Sequence, residues 1–319
     1  MFKVAENRNE KGLDQNKTVV KAIQEQMSID PMVVALEADL GGASGFSAFK
    51  KSNPDQFVEC GIAEANMVGV AAGMSMLGFK PIVHTFAPFA ARRDFDQLFL
   101  SGAYAHNTVT VFGSDPGFAT AHNGGTHTAW EDVALMRTIP NAVIVDACDA
   151  TQAAWVTKKF LQLDGIHYFR TNRKALRNVY TPDSTFELGK GNVLTQGDDC
   201  LIITAGELLS DVLDAQEELK AKGINCEVID MFTIKPLDEE LIKKEVKGKK
   251  AVLTVENASV YGGLGSAVND VLVNCEEKVH VKNMGVKDEF GQVGSVDYLK
   301  KVFHLTKQDI IEEVERLVK

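Results

Sequence analysis

The chain shows one pattern twice, in which short apolar runs bounded by loops alternate with segments of helical character. The first series begins with VVALEADL, and the second begins with CLIITAG after a polar, turn-rich segment between Lys174 and Gly191. Buried apolar runs separated by helices are typical of mostly parallel sheets covered on both faces. The sequence therefore predicts an α/β protein with two doubly wound domains, residues 1–183 and 190–319.

Composition argues against several classes of function. The 319 residues carry a net charge of −10, which is unfavourable for a general nucleic-acid or anionic-membrane binder. No apolar run approaches the roughly 20 residues that cross a bilayer, and the polar N-terminus MFKVAENRNEKG does not resemble a signal peptide. Five scattered cysteines without a CxxC pair are typical of free thiols in a reducing compartment. We therefore expect a cytoplasmic protein with no metal cluster, membrane partner or nucleic-acid partner.

Residues 57–97 contain the combination of side chains that most clearly indicates chemistry. A short apolar run is followed by a helix with Glu64 in its first turn, and the next strand leads into Phe86 and Phe89. Two aromatic faces and an acid could hold a flat heteroaromatic ring, with the acid on a ring nitrogen. The alternatives are an exposed glutamate that is favourable near a helix N-terminus and two phenylalanines of the core.

Further polar candidates follow the other strands of the first series. A glycine-rich loop ends at His127, next to a helix expected at about 128–138, and the helix N-terminus would keep this imidazole neutral. Arg170 ends a strand, where its planar fork could bind a phosphate or sulfonate. A locally satisfied loop histidine and a solvated arginine are the alternatives.

Five motifs follow one another in the chain: GIAEANMVGVAAG, TFAPF with a later FDQ, GGTH with a later EDVALMR, FTIKPLD, and LTVEN with a later YGGLG. In this order and spacing they resemble the C-terminal half of transketolases, from about residue 14 to the end. The resemblance implies a pyrimidine-binding domain followed by a C-terminal domain. The family's diphosphate-binding domain, with its GDG…N metal motif, has no counterpart, since the nearest string is QGDDC. The chain therefore resembles one subunit of a split transketolase.

The resemblance also implies a role for individual residues around thiamine diphosphate. A carboxylate that is hydrogen-bonded to the pyrimidine N1′ favours the imino tautomer, which removes the thiazolium proton. The implied residues are Glu64 and His127 for catalysis, Glu64, Phe86, Phe89, Arg92 and Asp39 for the cofactor, and Ser47, Ser114, His122, Asn123, His127 and Arg170 for the substrate. The chain departs from many relatives in Ser114 for histidine, Asn123 for aspartate and Asn16 for arginine, so the anionic tail of the substrate stays open between phosphate and sulfonate.

The function implied is transfer of a two-carbon unit from an anionic ketose to an aldose. Mg²⁺ or Ca²⁺ would be held by a separately encoded subunit with the GDG…N motif, in an α₂β₂ assembly. The alternatives are a deoxyxylulose-phosphate synthase-like subunit, a 2-oxo-acid dehydrogenase beta-like subunit, and a non-catalytic half that supports a partner. We expect the YGGLG turn to serve close strand–helix packing rather than anion binding, because its spacing departs from the dinucleotide fingerprint.

Overall fold

The two series of apolar runs form two sheets in the computed structural model, which describes residues 1–319. In the first half the elements are β1 Lys11–Asp14, α1 Gln15–Met27, β2 Val33–Glu37, α2 Gly41–Ser44, α3 Phe49–Ser52, β3 Phe57–Glu59, α4 Glu64–Met76, β4 Lys80–Phe86, α5 Ala87–Arg92, α6 Phe95–Gln97, β5 Val109–Ser114, α7 Asp132–Arg137, β6 Val143–Asp146, α8 Ala150–Phe160, β7 Ile166–Thr171 and β8 Ala175–Arg177. A π-helical segment, Leu98–Tyr104, continues α6.

The second half has the same alternation of strands and helices, and its elements differ in length from those of the first half. Its elements are β9 Asn192–Thr195, β10 Cys200–Thr204, α9 Leu209–Ala221, β11 Cys226–Asp230, β12 Thr233–Lys235, α10 Glu239–Glu245, β13 Ala251–Ser259, α11 Leu264–Leu272, β14 His280–Val286, α12 Val296–Val302 and α13 Lys307–Val318. Helix α13 begins with the capping box that the sequence predicts, in which Thr306 and Asp309 satisfy each other's backbone amides.

The first sheet has seven strands in the order β12-β6-β7-β5-β4-β2-β3. Every pairing is parallel except that of β12 with β6, which is antiparallel. Strand β12 comes from the second half of the chain, so this sheet is completed by a strand from beyond the polar segment. The second sheet has five strands in the order β14-β13-β10-β11-β9, with only β9 antiparallel. The predicted α/β fold with mostly parallel sheets is confirmed.

The register of the first sheet places several candidate side chains at one edge. Phe86 pairs with Ser114, and Ser114 pairs with Thr171, so the carboxyl ends of β4, β5 and β7 lie level. The end of β2 lies beside them, with Glu37 opposite His84. Ligands of open parallel sheets bind beyond these carboxyl ends. This edge is therefore the place where a site is expected.

The YGGLG turn serves packing, as the sequence predicts. Glu256 on β13 accepts hydrogen bonds from the backbone amides of Leu264 and Gly265, at 2.7 and 2.9 Å, and so caps the N-terminus of α11. A Cβ on Gly263 would lie 2.0 Å from the Glu256 carboxylate. The turn therefore has to be glycine so that the strand and the helix can approach each other.

Candidate active site

Glu64 is the first residue of α4 and lies at the carboxyl edge of the first sheet. The preceding turn is tied to that edge, because the Cys60 amide donates to the Glu37 carbonyl at 2.8 Å. No side chain caps the helix start. The Glu64 side chain is only 5% exposed, and its carboxylate accepts a hydrogen bond from Arg93 Nη1. Glu64 is thus a nearly buried acid with one charged partner.

Phe86 and Phe89 stand on either side of the junction between β4 and α5. Their ring centroids are 6.2 Å apart and their planes are inclined by 32°. Phe86 is buried and Phe89 is half-buried, and the Arg93 guanidinium carbon lies 4.1 Å from the Phe89 centroid. Glu64 and Phe89 therefore both contact Arg93, and Phe86 lies beside Phe89.

His127 joins this group edge-on. Its ring lies 5.3 Å from Phe89 and 6.2 Å from Phe86, with interplanar angles of 69° and 62°. Its Nδ1 is 2.9 Å from the hydroxyl of Thr126. The helix expected at about residue 128 begins only at Asp132, so proximity to a helix N-terminus does not set the charge of this histidine.

Arg92, predicted to contact the cofactor, points to the loop instead. Its Nε donates to the Pro88 carbonyl at 3.2 Å, and Nη2 donates to the Thr128 carbonyl at 3.1 Å. Glu131 forms an ion pair with it at 2.9 Å. These donors hold the loop that carries His127, and Arg93 is the arginine that contacts Glu64 and Phe89. The cofactor role of Arg92 stays a prediction.

Ser114, predicted to bind substrate, is fully buried in a polar chain of three side chains. Because the Glu37 carboxylate can only accept, His84 Nδ1–H donates to Glu37 Oε2 at 2.7 Å, and Nε2 then accepts from the Ser114 hydroxyl at 2.8 Å. All three residues have no exposed surface. The chain ties the ends of β2, β4 and β5 together, so Ser114 supports the site without reaching a ligand, and its prediction is corrected.

Arg170, predicted to hold the substrate anion, is also buried. Its side chain is 1% exposed, and Nη1 donates to both carboxylate oxygens of Asp132, at 2.9 and 3.1 Å. Its Nη2 donates to Asp146 at 2.8 Å and to the Asn257 carbonyl of the second half at 2.9 Å. The prediction is wrong, because these groups enclose the guanidinium between the two halves of the chain.

The remaining four predicted residues are exposed. They are Asp39, Ser47, His122 and Asn123, and their roles stay predictions. Asp39 lies near the turn before α4, because Glu59 accepts hydrogen bonds from the amides of both Asp39 and Gly61. Asn16, at the position expected for arginine, is buried and donates to the Ala43 carbonyl at 3.3 Å.

Arg173 is a residue that the sequence reasoning passed over. Asp115, buried and with a φ of 57°, accepts hydrogen bonds from the Arg173 amide at 3.1 Å and from its Nε at 2.9 Å. This holds the guanidinium carbon 5.3 Å from the Phe86 centroid, with the side chain 34% exposed. The second arginine of the string RTNR at the end of β7 was the available signal.

Asp94 is the other missed residue. It has no exposed surface, and neither of its carboxylate oxygens has a hydrogen-bond partner. Burial, and secondarily the charge of Glu64, raise the pKa of Asp94 well above its usual value. The signal was an acid directly after the arginine pair and directly before Phe95.

These positions define a class of site: an acid on a helix start, with two aromatic rings and a histidine around it, at the carboxyl edge of a parallel sheet.

No group of three or more His, Cys, Asp or Glu side chains is arranged to hold a metal ion. None of the helices combines the length and the apolar character that a membrane span requires.

The chain belongs to the transketolase family. Residues 11–179 match the family described as the transketolase pyrimidine binding domain, and residues 189–310 match the transketolase C-terminal domain. Together these matches cover most of the chain. The resemblance found in the sequence motifs is thereby confirmed.

The relatives include proteins of similar length. The 6-deoxy-6-sulfo-D-fructose transketolase subunit of Clostridium sp. (strain MSTE9) is 42% identical over 92% of this chain and 91% of its own length. An apulose-4-phosphate transketolase subunit of Phocaeicola vulgatus is 36% identical over 95% and 97%. A solved structure described as a split gene transketolase, an inactive β4 tetramer, superposes with a TM-score of 0.88 at 37% identity, over 96% of this chain and 99% of that one.

Proposed function

We propose that this chain is one subunit of a split, thiamine diphosphate-dependent transketolase. It transfers a two-carbon ketol unit from a ketose with an anionic tail to an aldose acceptor. The single observation that carries the proposal is the meeting of Glu64, Phe86, Phe89 and His127 at one sheet edge. A half that only supported a partner would have no use for this constellation.

The pocket fits an aminopyrimidine by its donor and acceptor chemistry. Glu64 presents a nearly buried carboxylate, and its partner is the planar Arg93 guanidinium, which lies over Phe89. A protonated heteroaromatic ring is also a planar cation with an N–H donor. Asp94, one residue beyond Arg93 in the chain, retains two carboxylate oxygens without partners. Glu64, Phe86 and Phe89 are therefore the residues that would hold the pyrimidine.

Bound thiamine diphosphate supplies a carbon nucleophile that the amino acids of the chain lack. Glu64 holds a proton at the pyrimidine N1′ through a charge-assisted hydrogen bond, which burial strengthens. Phe86 and Phe89 orient the ring by offset stacking, worth about 0.5–1.5 kcal/mol beyond the area that they bury. His127, at the aromatic edge, donates a hydrogen bond to or accepts one from an oxygen of the sugar.

A second subunit completes the site in this proposal. The cofactor's diphosphate needs a divalent cation held by oxygen ligands, and the chain has no side-chain cluster suited to one. We assign Mg²⁺ or Ca²⁺ to a separately encoded chain with the GDG…N motif, in an α₂β₂ assembly. Two relatives of matching length are themselves described as transketolase subunits, which supports this division.

The anionic tail of the substrate needs a donor other than Arg170. Arg173 offers one, because Asp115 takes its Nε and Nη2 while Nη1 has no hydrogen-bond partner. An arginine whose orientation is fixed on one side can present its remaining donors to a phosphate or a sulfonate. The name of the Clostridium relative contains a sulfonated ketose, and the name of the Phocaeicola vulgatus relative contains a phosphorylated one. The assay should therefore include donors with each kind of tail.

The test is a ketol-transfer assay on the chain alone, on its copurified partner alone, and on the two together. We expect activity only from the mixture, with Mg²⁺-dependent binding of thiamine diphosphate, and with an anionic ketose preferred over its uncharged analogue. Full activity from the purified single chain would remove the split-enzyme part of the proposal. Cofactor binding by the mixture without transfer from any ketose would remove the transketolase part.

A further inference from the structure

Arg93 makes an unusual pair of contacts at the centre of the site. Its Nη1 donates to Glu64 Oε1, and its guanidinium carbon lies 4.1 Å from the centroid of the Phe89 ring. The side chain is 48% exposed, whereas Glu64 is 5% exposed. A flat cation thus reaches from the solvent edge into the pocket, stacked on one aromatic ring and bonded to the acid.

An aminopyrimidine protonated on its ring nitrogen presents the same two features. It is planar, so it stacks on an aromatic face, and its N–H donates to a carboxylate. A ring that stacks on the face of Phe89 covered by Arg93 and bonds to Glu64 Oε1 would have to displace the guanidinium.

We propose that Arg93 is a resident stand-in for the aminopyrimidine, which holds Glu64 and Phe89 in place and is displaced when the cofactor binds. This inference rests on the proposed function only in the identity of the displacing ring. The displaced guanidinium turns toward solvent, where half of its side chain already lies.

The surrounding charges explain why a stand-in is useful. Glu64 and the fully buried Asp94 are two acids in one apolar region, and a buried carboxylate without a partner is costly. Arg93 is the cation paired with Glu64, and its charge favours the ionised form of Asp94 as well. The guanidinium therefore offsets part of the cost of keeping these two acids in the region.

The other arginines of the site are bound differently. Arg92 is tied to carbonyls of its own helix and of the loop, and Arg173 is tied to Asp115. The Arg93 side chain has no hydrogen bond other than the one to Glu64. It is therefore held in the pocket only by groups that the cofactor requires, so its contacts are the ones that cofactor binding breaks.

Displacement lowers the apparent affinity, because a ligand binds only the fraction of molecules whose pocket is free. The probe is the hydroxymethyl aminopyrimidine moiety of thiamine, titrated calorimetrically into the full chain. We expect Arg93→Met, which keeps the aliphatic stem and lacks the planar cation, to bind it roughly 3- to 10-fold more tightly than the unaltered chain. Arg316→Met, which removes an exposed charge on α13, controls for net charge and should leave the affinity unchanged.

A second measurement separates competition from a general electrostatic effect. In a Glu64→Gln background the Arg93→Met substitution should give no gain, because the contact under competition is already lost. In the Arg93→Ala chain, added methylguanidinium should compete with the probe, whereas in the unaltered chain, where Arg93 already occupies the pocket, it should compete more weakly. Equal or weaker binding of the probe by Arg93→Met would overturn the inference and assign Arg93 to holding the ring instead.

The outcomes distinguish this inference from the proposed function. Ketol transfer by the assembled enzyme, with no tightening in Arg93→Met, would overturn the stand-in and leave the proposed activity intact. Tighter probe binding in Arg93→Met, with no ketol transfer from any donor, would support the stand-in and overturn the transketolase activity.

Discussion

Glu64 and Glu256 are two nearly buried glutamates, each beside the start of a helix that follows a parallel strand, yet they are satisfied in opposite ways. Glu256 accepts hydrogen bonds from two backbone amides of α11, and these amides are fixed parts of its own domain. Glu64 accepts a hydrogen bond from a single side chain, Arg93, which reaches it from the solvent edge. A backbone partner cannot be exchanged for a ligand, whereas a half-exposed side chain can.

The same difference separates Arg170 from Arg93. Arg170 lies between the two halves of the chain and donates to two aspartates and a carbonyl. Arg93 is half-exposed and donates to one carboxylate. Burial and several fixed partners mark a group that stabilises the fold. A buried acid with an exchangeable partner marks a group that can act on a ligand, and the expectations below test that distinction.

The largest effect is expected from Glu64→Gln in the assembled enzyme. Glutamine fills the same space but cannot take up the pyrimidine proton, and general acid–base groups contribute about 10²–10⁴ in rate. We expect kcat for ketol transfer to fall by roughly that factor, with the urea unfolding midpoint of the chain unchanged.

Glu240→Gln, on the exposed face of α10, is the matched control and should leave both quantities as they are. Near-normal turnover by the Glu64→Gln enzyme would exclude Glu64 from the chemistry and remove the contrast with Glu256.

The next effect is on stability and comes from Arg170→Met. Asp132 and Asp146 would lose their cation while remaining buried, and breaking one partner out of a buried ion pair typically costs about 3–5 kcal/mol. Urea denaturation should show this loss in the free energy of unfolding. In whatever fraction stays folded, KM for an anionic ketose should not rise, because the guanidinium does not face the substrate.

Arg316→Met, which breaks an exposed pair with Glu313, should leave the unfolding midpoint unchanged. A stable Arg170→Met protein with a raised KM would restore the sequence-based assignment of Arg170 to the substrate anion.

Sequence patterns predicted the parts of this molecule that depend on periodicity and chain order. The alternation of runs indicated the parallel sheets. Glu64, Phe86 and Phe89 were grouped within one stretch of sequence, and the resemblance to transketolases added His127. The sequence could not show that Arg93, rather than Arg92, lies against Glu64 and Phe89. Two adjacent residues at the end of α5 differ only by a rotation about the helix axis.

Burial was the other limit of the sequence. Ser114 and Arg170 both stand at strand ends, where a polar side chain can face a ligand or a neighbouring element. The partners that enclose them, His84 for one and Asp132, Asp146 and Asn257 for the other, lie about 25 to 90 positions away in the chain. Only the packed structure brings those partners together.

The smallest effect concerns the pH dependence of stability through Glu256. Burial raises the pKa of Glu256 from 4.5 to about 7, although the two amides and nearby arginines oppose the rise. A carboxyl that is more protonated in the folded state than in the unfolded state contributes stability below its unfolded pKa, and that contribution is lost as pH rises toward the folded pKa. The window is therefore about pH 4.5 to 7.

Glu256→Gln resembles the protonated carboxyl and does not titrate. We expect the free energy of unfolding of the unaltered chain to fall relative to that of Glu256→Gln as pH rises through this window, by at most about 3.5 kcal/mol for such a shift. Burial also raises the pKa of Asp230 to about 7, but Asp230 is present in both proteins, so the difference isolates Glu256. Urea titrations at half-unit steps of pH measure it. A difference of the opposite sign would mean that the α11 amides stabilise the ionised carboxylate, and Glu256 would then be an anion held by backbone donors, much as a bound ligand would be.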